Sequence, residues 1–252
     1  MRALEDNRMC ELHQKASGAI SRRTLGKTFG KFALSSAGFL LVRNAGAKEK
    51  KPPKPENVLS PDDALERLLD GNERYVEGVT RRHDFRHERE ALAGGQNPYA
   101  AILSCADSRI APEYAFDSVR GDLFVCRVAG NFASNETTAS LEYAVAVLNT
   151  PLILVLGHDA CGAVDATIKS LKDEKPLPGH MPSLVEAIAP AVKAASSQSG
   201  NQLGNAIRQN VIDNVAKLKS ATPILSAAVD EKKLKVVGGI YRLKTGKVEM
   251  VG

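Results

Sequence analysis

Three short apolar runs, at residues 100–104, 122–128 and 151–157, most strongly constrain what this chain can fold into. Each has the length and composition of a strand buried on both faces. Helical patterns lie between and after them: 137–148 with Asn135 as its cap, 161–171 after a tight turn, 203–218 and 224–229. Residues 236–243 and 247–251 read as two closing strands around a Thr245-Gly246 turn. Buried strands alternating with helices predict an α/β domain with a mostly parallel central sheet flanked by helices. Ahead of it, Ser60-Pro61-Asp62-Asp63 is a helix start: a capping Ser, Pro in the first turn, and acids against the helix dipole. Leu65, Leu68 and Leu69 follow at helical spacing, so an N-terminal helical arm precedes the sheet. Gly71 and Asn72 fall in a continuation that composition alone does not explain. Residues 194–202, rich in Ser and Ala, read as a flexible connection.

Charge bears on partners. The net +5 is confined to residues 1–47, which hold eight Lys/Arg and three Asp/Glu; the rest carries 26 of each sign. A neutral folded part offers no electrostatic case for nucleic-acid binding. Ser21-Arg22-Arg23-Thr24-Leu25-Gly26-Lys27 resembles the twin-arginine export motif. A modest apolar stretch at 32–42 follows, too short for a permanent membrane span, and Ala45-Gly46-Ala47 offers a small-residue cleavage site. The expected organisation is a leader at 1–47, a charged, Pro-rich solvated linker at 48–56 and a folded domain at 57–252, exported to the periplasm with no stable membrane insertion after cleavage. A disordered basic tail or an uncleaved anchor is the competing reading of the leader.

The four cysteines, Cys10, Cys105, Cys126 and Cys161, are too sparse for a disulfide scaffold. Cys105-Ala106-Asp107-Ser108-Arg109 follows the first strand, and His158-Asp159-Ala160-Cys161 follows the third. In parallel sheets functional groups collect just beyond the strand C-termini, so these two segments are expected to meet. Two thiolates and an imidazole form a zinc ligand set with one position open, the arrangement of a catalytic site. Either segment alone is more often a buried Cys or a satisfied core His; the pair, in this order at two strand ends, is a much stronger signal.

With these motifs in place, the sequence resembles the β-class carbonic anhydrases over essentially the whole folded part. The paired signatures C-x-D-x-R and H-x-x-C-G stand as Cys105/Asp107/Arg109 and His158/Cys161/Gly162. Gly71-Asn72, Gly95-Gln96-x-Pro98, Arg127-x-Ala129-Gly130-Asn131, Leu141-Glu142-Tyr143-Ala144 and Gly238-Gly239-Ile240-Tyr241 support them. The resemblance implies reversible hydration of carbon dioxide to bicarbonate and a proton, at zinc bound by Cys105, His158 and Cys161. Water or, in a blocked state favoured at lower pH, Asp107 fills the fourth position, and Arg109 pairs with Asp107 to keep it off the metal. It further implies that Gln96 orients substrate, that Gly162 contributes a backbone contact, and that Phe124 and Tyr143 line the pocket. Tyr143 would reach across the interface of a homodimer or larger homo-oligomer. Ordinary core packing competes for Phe124 and Tyr143, and an exposed loop position for Gln96. Cys126 reads as a small hydrophobe in a buried strand, and His83, His87 and His180 leave the proton shuttle unassigned.

One departure stands out. Members with a second, non-catalytic bicarbonate pocket carry a Trp three residues before the first ligand Cys; here that residue is Ile102, although Arg127 is retained. Two other functions share the motif: hydrolysis of carbon disulfide or carbonyl sulfide, and non-catalytic zinc or bicarbonate binding.

Overall fold

The computed structural model describes residues 52–251 other than His83. The leader expected at 1–47, Cys10 and the start of the linker lie outside the described residues. A short 3-10 turn, Pro55–Asn57, leads into α1 (Pro61–Val76) and α2 (Phe85–Leu92). Then follow β1 (Ala100–Ser104), α3 (Pro112–Ala115), β2 (Leu123–Arg127), α4 (Asn135–Ala146), β3 (Leu152–His158), α5 (Gly162–Lys172), α6 (Pro182–Ala195), α7 (Gln202–Lys219), α8 (Ile224–Asp230), β4 (Lys235–Tyr241) and β5 (Val248–Val251).

The five strands form one sheet in the order β2-β1-β3-β4-β5. The first four are parallel and β5 returns antiparallel on β4. Every residue of β1 and β3 is buried, as continuous apolar strands covered on both faces must be. β2, at the edge, is only half-buried. The register pairs Ser104 with Leu156 and His158 with Tyr241, so Cys105 and His158 emerge at the same C-terminal edge.

α7 lies close against β3 and β4, and two glycines permit it. A Cβ at Gly157 would stand 2.7 Å from Val211 Cγ2, and one at Gly238 would stand 2.6 Å from Val211 Cγ1. The forked Val211 side chain thus rests directly on two strand backbones. Helix α1 depends on a similar approach: a Cβ at Gly71 would lie 2.0 Å from the Phe116 carbonyl oxygen. Asn72 beside it is buried and fully used. Its amide donates to the carbonyls of Ala115 (2.8 Å) and Gly246 (2.9 Å), and its oxygen accepts from Val248 N (2.8 Å). These two residues dock the arm onto α3 and the β4–β5 turn.

Some expectations shift. The cap of α4 is Ser134, whose side chain and that of Thr137 form a reciprocal capping box; Asn135 is the first helical residue. The end of the linker is not solvated. Lys54 exchanges backbone hydrogen bonds with the Asn97 side chain (3.1 and 2.6 Å), and its ammonium pairs with buried Asp122 and donates to Arg120 O (2.9 Å). Residues 194–202 include the last turn of α6 and the first residue of α7, with the turn between them. Helices α2 and α6 carry weak sequence signals. α2 buries none of its residues, and α6 contains Pro190, which removes one backbone donor from the helix. No described helix is long and apolar enough to cross a membrane.

Candidate metal centre

Cys105 follows β1 directly, His158 ends β3, and Cys161 caps the N-terminus of α5. The chain turns back between the last two through Ala160 at φ +51°. The ligand atoms of Cys105, His158 and Cys161 all lie within 4.8 Å of one another, and all three residues are buried. The two sulfurs are 4.0 Å apart, twice the length of a disulfide bond, and the three described cysteines are free thiols. His158 Nδ1 donates to the Asp159 carbonyl oxygen at 2.8 Å, which leaves Nε2 as a bare acceptor. That Nε2 is buried with no hydrogen-bond partner, the condition of a nitrogen aimed at a metal.

Electrostatics in the cluster follow from its closeness. A hydrogen bond from the Cys161 thiol, aided by His158 and the Gly130 amide, brings Cys105 down to about 4 against the cost of burial. Cys161 is pushed far up because it donates to the Cys105 sulfur and is itself buried. Burial disfavours the His158 cation, but the Cys105 sulfur and the Asp159 carbonyl outweigh it, and His158 is raised. Cysteine binds a metal as the thiolate, so a metal ion that binds here displaces protons.

Asp107 stands beside the cluster. Arg109 grips it with Nε on Oδ1 (2.9 Å) and a terminal nitrogen on Oδ2 (2.7 Å), while the Arg109 backbone N also donates to Oδ1 (3.0 Å). This fork holds the Asp107 carboxyl well below the usual carboxylate range. Asp107 Oδ2 is 3.9 Å from His158 Nε2. The same guanidinium reaches Ala160 O at 3.4 Å and so ties the two ligand segments together.

The expected pocket residues divide. Gly162, itself exposed, opens the first turn of α5 next to Cys161, and a Cβ there would meet open space. Gln96 is exposed in the loop before β1. Phe124 pairs with Ala101, four residues before Cys105, which places it about 13 Å back along the sheet at ~3.3 Å per residue. Its ring lies 6.3 Å from that of Tyr143, which is 47% exposed. No described contact within one chain joins Gln96, Phe124 or Tyr143 to the ligand atoms.

Three contributors to the site had no assigned role in the sequence. Arg127 donates to Cys105 O (2.9 Å) and Asp107 O (2.8 Å), fixing the backbone that carries both side chains. Asp159 accepts from Leu243 N through Oδ1 (2.9 Å), which buckles the ligand turn to the chain leaving β4. The Gly130 amide donates to Cys105 Sγ at 3.3 Å. Arg127 and Gly130 lie in the quoted R-x-A-G-N run, the one sequence signal that pointed toward them.

Residues 100–248 match the profile of the carbonic anhydrase family. Carbonic anhydrase 2 of Mycobacterium tuberculosis is 38% identical over 189 residues, covering 75% of this chain and 91% of that one. The carbonic anhydrase of Mycolicibacterium smegmatis is 36% identical over 192 residues, covering 76% and 93%. Among solved structures, the beta-carbonic anhydrase CcaA superposes with a TM-score of 0.57 at 27% identity, covering 75% of this chain and 98% of that one.

The three-residue cluster predicts about one metal ion per chain. Cys105→Ser, His158→Ala and Cys161→Ser should each lose it, read by atomic absorption after dialysis. Full metal content in all three variants would remove the assignment.

Proposed function

The chain belongs to the carbonic anhydrase family, in its β class, and interconverts carbon dioxide and bicarbonate; from that premise we propose that Cys105, His158 and Cys161 hold a zinc ion and that Asp107 and Arg109 work beside it. The observation that carries this is the orphaned, buried Nε2 of His158 set against two sulfurs. A tetrahedral zinc with bonds of about 2.3 Å to sulfur separates its two sulfurs by roughly 3.8 Å, and the 4.0 Å here supports that fit.

Bound zinc supplies Lewis acidity, enough to make water nucleophilic near neutral pH. Two thiolates offset more of the metal's charge than imidazoles would, which raises the importance of a carboxylate at hand. Asp107 is that carboxylate. Arg109 fixes its orientation through both oxygens, so that it can accept a hydrogen bond from the reacting water and hold it for attack on carbon dioxide. The products are bicarbonate and one proton. The Gly162 backbone and the Gln96 amide are the proposed substrate contacts. With zinc bound, Asp107 could also serve as a fourth ligand and block the site, and Arg109 would restrain it from doing so.

A second copy of the chain completes the reading. Phe124 and exposed Tyr143 lie on and beside the half-buried edge strand β2, away from their own chain's cluster, so we place them at the interface of a homodimer, where Tyr143 serves the partner's pocket. The twin-arginine-like run at Arg22-Arg23 supports export to the periplasm as a folded, metal-loaded protein.

Stopped-flow assay of carbon dioxide hydration is the direct test, with sulfide release from carbon disulfide as its counterpart; faster sulfide release would overturn the reading. Asp107→Asn should keep its zinc yet lose about 10²-fold or more in kcat, because an amide cannot replace the carboxylate acceptor. Arg109→Ala should lose activity with Asp107 found on the metal in its crystal structure; Asp107 off the metal there would refute the blocked state.

Sedimentation of the active enzyme should give a dimer or larger, and a fully active monomer would refute the shared pocket.

Exchanging Arg22 and Arg23 for Lys should hold the precursor in the cytoplasm. Undiminished export would dispose of the leader reading.

A further inference from the structure

Helix α7 carries a row of polar side chains on a face that is otherwise core. Asn210 is 2% exposed and Asn214 6%, and Lys217 continues the row one turn on. Buried amides are costly unless their donors and acceptors are used, and these are. Asn210 Nδ2 donates to Gly130 O at 2.8 Å. Asn214 Oδ1 accepts from Ala133 N at 2.7 Å, while its Nδ2 donates to Asn210 O (2.7 Å) and Oδ1 (3.2 Å). Lys217 Nζ donates to Ala133 O at 2.6 Å. The row therefore grips one feature from both ends: the turn at residues 130–133 that follows β2.

That turn delivers the Gly130 N–H to the Cys105 sulfur at 3.3 Å. Gly130 has φ +86°, a conformation open to glycine because it lacks a Cβ, and glycine also has the widest freedom to leave it. Its nitrogen is on the sulfur and its carbonyl oxygen, in the next peptide unit, is on Asn210, so Gly130 is pinned on both sides of its Cα and Asn210 limits the rotation that would carry the N–H off the sulfur. We propose that Asn210 is a positioning residue for the metal-bound Cys105 thiolate, acting through the Gly130 amide. The inference rests on the reading of Cys105 as a metal ligand. A hydrogen bond to a thiolate draws electron density from the sulfur and leaves the metal less neutralised, which offsets part of the charge donated by a two-thiolate ligand set. The placement of α7, with Val211 seated on Gly157 and Gly238, brings the neighbouring Asn210 into range.

The test uses full-length protein with cobalt(II) in place of zinc, reading the sulfur-to-cobalt charge-transfer band and the metal affinity by chelator competition. Asn210→Leu should move the band to longer wavelength, as the unbonded sulfur gives up charge more easily, and lower metal affinity about 10-fold or more. Lys217→Met, a milder change at the far end of the same turn, should shift the band in the same direction by less. It carries the test if Asn210→Leu does not fold. Cobalt uptake with an unmoved band in a folded variant would overturn the positioning role, even if that variant melts earlier. A parent protein that takes up no cobalt would overturn the metal reading and this inference together.

Discussion

The parallel pairing of β1 with β3 is the contact on which the rest of the molecule depends. Both strands are wholly buried, and apolar except for Ser104 and His158 at their ends, so their backbone groups can be satisfied only by neighbouring strands. A shift of register would move buried residues to the wrong face of a sheet covered on both sides. With Ser104 opposite Leu156, the residue after one strand falls within one residue of the last residue of the other, at the same edge of the sheet. Those residues are Cys105 and His158. The site therefore inherits its rigidity from the most buried part of the sheet.

Around that pair, the protein spends polar groups in its interior to place backbone. Asn72, Asp122, Asn210 and Asn214 are all nearly inaccessible; the three asparagines bond main chain far away in sequence, and Asp122 bonds distant side chains and a nearby amide. Asn72 joins the arm to the last hairpin. Asp122 gathers Lys54, Asn57 and the Val119 amide at the entrance to β2. Asn210 and Asn214 hold the turn that leaves β2. An amide that satisfies backbone in this way fixes a loop more narrowly than apolar packing does, since it requires both distance and direction.

Charge is arranged with the same economy. Asp107 and Arg109 are two residues apart and satisfy one another locally, while Arg127 holds the backbone of the same segment from the neighbouring strand. The carboxylate is thus kept ionised at the rim of the buried Cys105, His158 and Cys161 cluster. On an exposed surface such a pair would add little to stability. Beside the candidate metal cluster, its worth lies in orientation.

What the sequence determines by itself is whatever depends on near neighbours and residue chemistry. The buried strands follow from unbroken apolar runs, the start of α1 from Ser60 and the acids after it, and the candidate metal cluster from two thiols and an imidazole at strand ends. The Asp107–Arg109 fork is legible because two residues suffice to make it. The sequence does not show that Lys54 is anchored, that Arg127 braces Cys105 and Asp107, or that a glycine amide touches the ligand sulfur. Nor does it foresee α2, which is short and buries none of its residues, or α6, interrupted by Pro190. Tertiary structure decided these because their partners lie tens of residues away or are backbone groups, which every residue carries and no side-chain pattern marks. Gly71, Gly157 and Gly238 make the same point, since what they contribute is space, and only the packed neighbours show that the space is needed.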